Sequence, residues 1–273
     1  MIPKIIHYCW FGKGLMPQSH KKCIDGWQKL MPDYTFIRWD ETNFDVNYCQ
    51  FSSQAYLNKK FAFVADVARL FALSHYGGIY LDTDVSVYQR FDRFLNYDFF
   101  SGIELYREFE TENIAELYLN NDCTAKHFGT DIPRMEILTS TMGCCINSPL
   151  ITSLLEYYKS ISITTGPEID LRGLVNFDRL VARFLTNYGF RYINETQYLN
   201  NNMVVYGTGI FGHAFCPDDR YEVSYHHNAA TWESERWTRA QRHSYFFDKI
   251  GLLPVYQGYK KLKKKVKRLL LGK

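Results

Sequence analysis

Apolar positions along this 273-residue chain fall into runs that alternate between strand and helix spacing. Lys4 to Tyr8 (KIIHY) is a first run of strand type. Pro17 opens a helix that extends to about Leu30, and Pro32 closes it. Tyr34 to Trp39 (YTFIRW) reads as a second strand, and Ser53 as the cap of a short helix ending at Lys60. The longest run follows, from Phe61 to Tyr76, where Asp66 and Arg69 are the sole charges. Gly77-Gly78 stop it, as residues free to take positive φ stop a helix. Ile79-Tyr80-Leu81 then forms a buried-strand run that ends in Asp82-Thr83-Asp84. Farther on, Asp98 to Glu104 (DFFSGIE) and Thr139 to Ile146 are strand-like, and Asn147-Ser148-Pro149 opens a helix to Lys159. Gly173 to Asn187 carries Leu174, Leu180, Val181, Phe184 and Leu185 on one helical side. Glu104 to Glu136 reads as a polar, irregular insertion over the cleft. The order of strands and helices predicts an α/β fold.

Composition narrows the class. Twenty Phe, 21 Tyr and 5 Trp with a net charge of +3 argue for a folded core with stacking surfaces. They argue against disorder and against a nucleic-acid binder with a broad basic face. Seven cysteines lie without metal-ligand spacing, Cys144-Cys145 being the one close pair, so reduced thiols and a cytoplasmic location are expected. The start, MIPKIIHY, has no apolar run of signal length, and no stretch reaches the ~18 apolar residues of a membrane span.

The candidate chemistry sits at the end of the long run. Alternate side chains of a strand share a face, so Asp82 and Asp84 point the same way if the strand continues that far. Two such carboxylates repel unless a cation sits between them, and a hard divalent ion fits. The alternative is a loop with two solvated aspartates. Asp66 and Arg69, three apart, share a helical stripe with Ala62 and Leu73. They form an internal salt bridge, a polar stripe facing the cleft, or both, because an unpaired charge in so apolar a helix is costly. Trp10 falls just beyond the first strand, where ligands gather in open α/β sheets. It is either a stacking platform for a base or a core aromatic.

IIHYCWFG and FVADVARLFALSHYGGIYLDTDV resemble segments of the glycosyltransferases whose sugar-binding region carries an Asp-x-Asp motif. That retaining group includes many bacterial capsule and O-antigen transferases and yeast outer-chain mannosyltransferases. The glucosyltransferase domains of the large clostridial toxins are more distant members. The resemblance implies a GT-A-type, single nucleotide-binding α/β domain with a mostly parallel central sheet over residues 1–255. Helical acceptor-side insertions (104–136) and a basic C-terminal tail (256–273) complete it. It implies metal-dependent, retaining transfer from a nucleotide sugar, carried on uridine diphosphate, to a saccharide acceptor in capsule, O-antigen or exopolysaccharide synthesis. Asp66 and Arg69 then take the contacts to donor sugar and ribose. Trp10 takes the stack on uracil, with His7 and the backbone of Cys9 alongside. Tyr80 borders the donor, Asp82 holds ribose and metal-bound water, and Asp84 binds the metal. Asp66, Arg69, Asp82 and Asp84 are thus the catalytic candidates. Ala65 departs from the family, which often has Ser there.

Later patches extend the resemblance. Thr165-Gly166-Pro167 matches a family loop, and Phe215-Cys216-Pro217 leads to SYHHNAATW, residues 224 to 232, comparable to the family's His-x-x-small-x-x-Trp segment. His226 is the expected third metal ligand, with His227 as the alternative, since neighbours on a strand face opposite ways. Mn²⁺ or Mg²⁺ suits such a mixed oxygen and nitrogen set. Trp232 either closes over the donor as part of a lid or packs on the core.

Tyr259 to Lys273 (YKKLKKKVKRLLLGK) differs from all that precedes it. Leu262, Val266, Leu269 and Leu270 share one helical face amid a run of Lys and Arg, the pattern of a basic amphipathic helix on an anionic membrane. Each basic residue near such a surface contributes on the order of 1 kcal/mol. The expectation is peripheral attachment to the inner face of the plasma membrane, which would suit a lipid-linked acceptor. The alternative is a solvated tail. Two other functions stay open from the residues alone. A haloacid-dehalogenase-type phosphatase also ends a strand in Asp-x-Asp, but carries Thr or Val where this chain has Ser86. A non-catalytic nucleotide-sugar-binding module would use the same residues without turnover.

Overall fold

The computed structural model describes residues 1–163, 175–213 and 221–229. Apart from Ala229, these belong to the unit Met1–Asn228. Thr165-Gly166-Pro167, Gly173, Leu174, Phe215-Cys216-Pro217, Trp232 and the basic tail lie outside the described residues.

The chain runs β1 (Ile5–Cys9), α1 (Gln18–Leu30), β2 (Thr35–Trp39), α2 (Gln50–Leu57), α3 (Phe61–Tyr76), β3 (Gly78–Leu81) and β4 (Val85–Val87). It continues through β5 (Phe99–Leu105), α4 (Glu108–Thr111), α5 (Ile114–Tyr118), β6 (Met135–Ile137), β7 (Thr141–Cys144) and α6 (Pro149–Ser160). After α7 (Phe177–Leu185) come β8 (Gln197–Leu199), β9 (Met203–Tyr206), β10 (Phe211–His213) and β11 (Ser224–His226). Eight strands form the main sheet in the order β2-β1-β3-β7-β5-β9-β8, with β6 also beside β5. Strands β1, β2, β3, β5 and β9 run one way and β6, β7 and β8 the other, a mixed sheet with a parallel majority. A small sheet has the order β10-β11-β4.

Both faces of the main sheet are covered. Strand alternation sends Ile79, Leu81, Phe100 and Val204 into one core with Ile24 and Trp27 of α1. Tyr80, Phe99, Met203 and Val205 enter the other, with Leu70 and Leu73 of α3, Leu154 of α6 and Leu180 of α7. Leu70 and Leu73 are fully buried; truncating either to Ala costs about 2–5 kcal/mol.

The helix-to-strand turn after α3 needs its two glycines. Gly77 has φ +60° and caps the helix by donating its N–H to Leu73 O. A Cβ there would stand 2.7 Å from the Ile146 nitrogen, and one at Gly78 (φ +100°) 2.7 Å from Ile5 O.

Three expectations are corrected. Helix α2 begins at Gln50, not at Ser53: Cys49 and Ser52 cap its start reciprocally. Strand β3 ends at Leu81, so the shared face of Asp82 and Asp84 does not come from strand alternation. Residues 104–136 are not irregular throughout. Glu104 and Glu136 are buried partners across β5 and β6. Ile114, Leu119 and Ile132 between them join the core because α4 and α5 fold that segment back on it.

Candidate functional site

Parallel strands β1, β3 and β5 end at one edge of the sheet, and the predicted residues collect there. Asp82 still bonds the main sheet, its N–H donating to Ser140 O at 2.9 Å. The chain then turns, Val85 N–H donating to Asp82 O at 3.0 Å, and enters the small sheet as β4. Val85 faces His226 across the antiparallel β4–β11 pair. His226 Nε2 lies 3.3 Å from Asp84 Oδ1 and 3.8 Å from Asp82 Oδ2. Ligand atoms of Asp82, Asp84 and His226 all fall within 4.8 Å of one another. His227 faces away: its N–H donates to Asp84 O at 3.1 Å and its Nε2 sits 2.8 Å from Ser86 Oγ. Burial opposes a charge on His226, but Asp84 and then Asp82 outweigh it and hold the imidazole above its ordinary pKa. Two hard oxygens and one imidazole nitrogen gathered this closely fit a small divalent ion such as Mn²⁺ or Mg²⁺.

Arg69 organises the flank. Only 6% exposed, it pairs with Asp66 at 3.2 Å and Asp82 at 3.5 Å. It also donates to Thr139 O at 3.1 Å, and its guanidinium lies over the Tyr80 ring at 4.3 Å. Tyr80 in turn donates its hydroxyl to Asp82 Oδ1 at 2.9 Å. Asp82 therefore spends Oδ1 on Tyr80 and Arg69 and turns Oδ2 toward His226. Burial above all, with Asp178 and Asp82 adding to it, lifts the Asp66 carboxyl to about 7 in spite of Arg69. Internal salt bridge and site-facing stripe are one arrangement here.

Sequence reasoning missed the next layer. Thr139 hydrogen-bonds Asp178 at the start of α7, and Asp178 with Glu104 and Glu136 forms a second acidic cluster. Arg179 neutralises Glu136 at 2.7 Å. Burial, then Asp178 and Glu136, push Glu104 well above the carboxylate range. Burial, then Glu136, lift Asp178 to about 6. Like charges directly opposite on paired strands are destabilising, which favours the protonated form of Glu104 beside the Arg179-paired Glu136. The cluster's one signal in the sequence was the Glu that ends DFFSGIE.

Other predicted residues serve the scaffold behind or beside the cluster. His7 is fully buried: its Nε2 pairs with Gly77 O at 2.8 Å and its Nδ1 accepts from Trp39 at 3.0 Å. It holds strand to turn and has no surface for a donor, which corrects the expectation. Tyr80, 1% exposed, likewise cannot border a donor and acts through Asp82. The Cys9 side chain is buried, and that burial pushes its thiol up to about 12. Trp10 is half-buried, with its Nε1 donating to Gly14 O at 2.8 Å. Its ring stands edge-on to His20 at 5.5 Å.

Residues 17–100 match the family described as "Glycosyltransferase sugar-binding region containing DXD motif". The mannosyl phosphorylinositol ceramide synthase CSH1 of Saccharomyces cerevisiae is 38% identical over 106 residues, 35% of this chain and 26% of that protein. Inositol phosphoceramide mannosyltransferase 3 of Schizosaccharomyces pombe is 36% identical over 107 residues, 35% of this chain and 28% of its own length. The match thus spans about a quarter of each yeast protein. Among solved structures, a glycosyltransferase involved in glycosylation of the major capsid of PBCV-1 covers 85% of this chain and 96% of its own at 11% identity and TM-score 0.41. The galactosyltransferase LgtC covers 84% of this chain and 81% of its own at 13% identity and TM-score 0.39. Helix α3, strand β3 and both aspartates of the turn lie inside the matched stretch. The likeness of this chain to the DXD-containing glycosyltransferases therefore rests on residues 17–100, about a third of its length.

Proposed function

We propose that the protein transfers a sugar from a nucleotide-sugar donor, uridine diphosphate being the first carrier to test, to an acceptor hydroxyl with retention of configuration. The convergence of Asp82, Asp84 and His226 within 4.8 Å supports this reading most directly. When bound at these residues, Mn²⁺ or Mg²⁺ supplies Lewis-acid neutralisation of the diphosphate. Tyr80 and Arg69 orient Asp82, His227 fixes the backbone of Asp84, and Asp66 with Arg69 forms the sugar-side wall. Retention is what the family resemblance implies, and no nucleophile of the kind a double displacement needs is evident in these motifs. A same-face reaction follows, in which the bond to the leaving phosphate breaks as the acceptor oxygen attacks. The departing phosphate oxygen takes the hydroxyl proton.

A saccharide acceptor, lipid-linked or free, belongs to the capsule and O-antigen reading. The names of the yeast relatives add an inositol phosphoceramide as a second acceptor class to test. Among the described residues no helix is long and apolar enough to cross a membrane. Attachment to the inner face of the plasma membrane rests on the basic sequence of 259–273. The test is slow donor hydrolysis across a panel of uridine and guanosine diphosphate hexoses, with Mn²⁺, with Mg²⁺ and with chelator. Metal-dependent hydrolysis is expected, and Asp84→Ala should abolish it. Undiminished turnover in Asp84→Ala overturns the reading; release of phosphate from simple esters, with no sugar nucleotide consumed, favours the phosphatase.

A further inference from the structure

One face of α1 is built around the metal turn. His20, Cys23 and Trp27 recur there at spacings that place side chains on one helical stripe. His20 Nδ1 lies 2.8 Å from Thr83 Oγ1, Cys23 Sγ 3.8 Å from Ser86 Oγ, and Trp27 Nε1 donates to Val85 O at 2.8 Å. Each residue from 83 to 86 other than Asp84 itself is therefore touched by α1, while Asp84 is held from the other side by His227. Thr83, between the two aspartates, is 8% exposed, and His20 is 3% exposed. The ring of Trp10 meets His20 edge-on at 5.5 Å, and Trp10 is tied to its own loop through Gly14. The second ring nitrogen of His20 is buried without a partner.

We propose that His20 is a positioning residue which fixes the Asp82–Thr83–Asp84 turn through Thr83 and joins it mechanically to the Trp10 loop. The inference rests on Asp82, Asp84 and His226 forming a cation site. The Thr83 hydroxyl is engaged by His20 Nδ1 at 2.8 Å, while the cation cluster is made of Asp82, Asp84 and His226. What the bond sets is the angle at which the flanking carboxylates leave the backbone. Groups that orient metal ligands from behind are commonly worth 10–100-fold in affinity. Because Trp10 packs on the same ring, the aromatic loop and the turn share one support, and a shift at either is felt at the other.

The test is a double-mutant cycle on the full chain with Mn²⁺ alone, read by titration calorimetry. His20→Ala and Thr83→Val should each weaken Mn²⁺ binding roughly tenfold, and the double variant should be no weaker than either single one. His20→Gln, which can still reach Thr83, should recover most of the affinity. Ile24→Val, a buried α1 change that removes no hydrogen bond to the turn, controls for loss of stability and should leave Mn²⁺ affinity unchanged while lowering the melting temperature. Additive effects of the two single variants overturn the role of His20, as does an Ile24→Val loss equal to that of His20→Ala. Wild-type protein that binds neither Mn²⁺ nor Mg²⁺ overturns both this inference and the proposed function. Mn²⁺ binding without nucleotide-sugar turnover sinks the function alone and leaves the cycle readable.

Discussion

His7 offers a quantitative test of the division between scaffold and site. Burial, opposed by its hydrogen bond to Gly77 O, lowers its pKa from the ordinary 6.5 to about 4. With Nδ1 accepting from Trp39 and Nε2 donating to Gly77, the ring is neutral in the folded state. The folded pKa is depressed, so this contribution to stability is fully present above pH 6.5 and is lost as pH falls toward about 4. Each pH unit between those limits removes about 1.4 kcal/mol, about 3 kcal/mol in all. His7→Gln keeps a donor for Gly77 O and removes the titration. Urea unfolding of wild type and variant in matched buffers isolates this one group, because every other titration cancels in the difference. Near neutral pH the variant should be less stable by about 1–3 kcal/mol, from the imperfectly replaced hydrogen bonds. That gap should shrink by about 2 kcal/mol between about pH 6.5 and about pH 5. Parallel curves at constant offset would refute the reasoning. A raised KM for nucleotide sugar at unchanged stability would return His7 to the donor site.

Three further outcomes follow from the same geometry. Arg69→Met should destabilise the fold by about 3–5 kcal/mol by stranding Asp66 and Asp82, and Arg69→Lys should not rescue it, because one ammonium cannot span Asp66, Asp82 and Thr139; urea midpoints decide both. Asp178 has a raised pKa, so it stays protonated in the fold after the unfolded chain has released its proton. The Asp178 contribution to stability should therefore be lost as pH rises from 3.8 through about 6, so the stability of wild type relative to Asp178→Asn should decline over that range in paired melting-temperature series. Gly77→Ala should cost about 1–3 kcal/mol from backbone conformation alone, plus a clash with the Ile146 nitrogen that no side-chain motion can relieve; a variant as stable as wild type would contradict the turn geometry.

What the sequence made legible was local. The apolar run, the glycine stop and the strand tipped with carboxylates are read within a few residues of one another, and α3, its cap and β3 follow from them. Alternation along a short strand also suffices to ask whether His226 or His227 faces the carboxylates. The second layer was hidden for a physical reason. Thr139 meets Asp178 across 39 residues and His20 meets Thr83 across 63, contacts set by sheet register and helix docking, not by spacing. His7 was misread for the converse reason. The resemblance alone set it beside the donor, whereas His7 lies mid-strand in β1, enclosed by both flanking strands and the Gly77 carbonyl. Glu104 and Glu136 read as the polar borders of an insertion, and only their pairing across β5 and β6 makes them interior.

The turn that carries Asp82 and Asp84 is also the junction at which the backbone leaves the main sheet and enters the small one. Its partner strand β11 comes late in the described chain: Ser86 meets His227 across 141 residues. Closing so long a loop is slow compared with forming local helices and strands. During synthesis, both aspartates and the whole stretch 17–100 would emerge well before the strand that completes their cation site. Until β11 docks on β4, the turn carries two carboxylates with no third ligand beside them. On the proposed function, Mn²⁺ or Mg²⁺ binding would then report the docking of β11 on β4. A chain ending before Ser224 would keep the whole matched stretch 17–100 but lack His226 beside the two carboxylates.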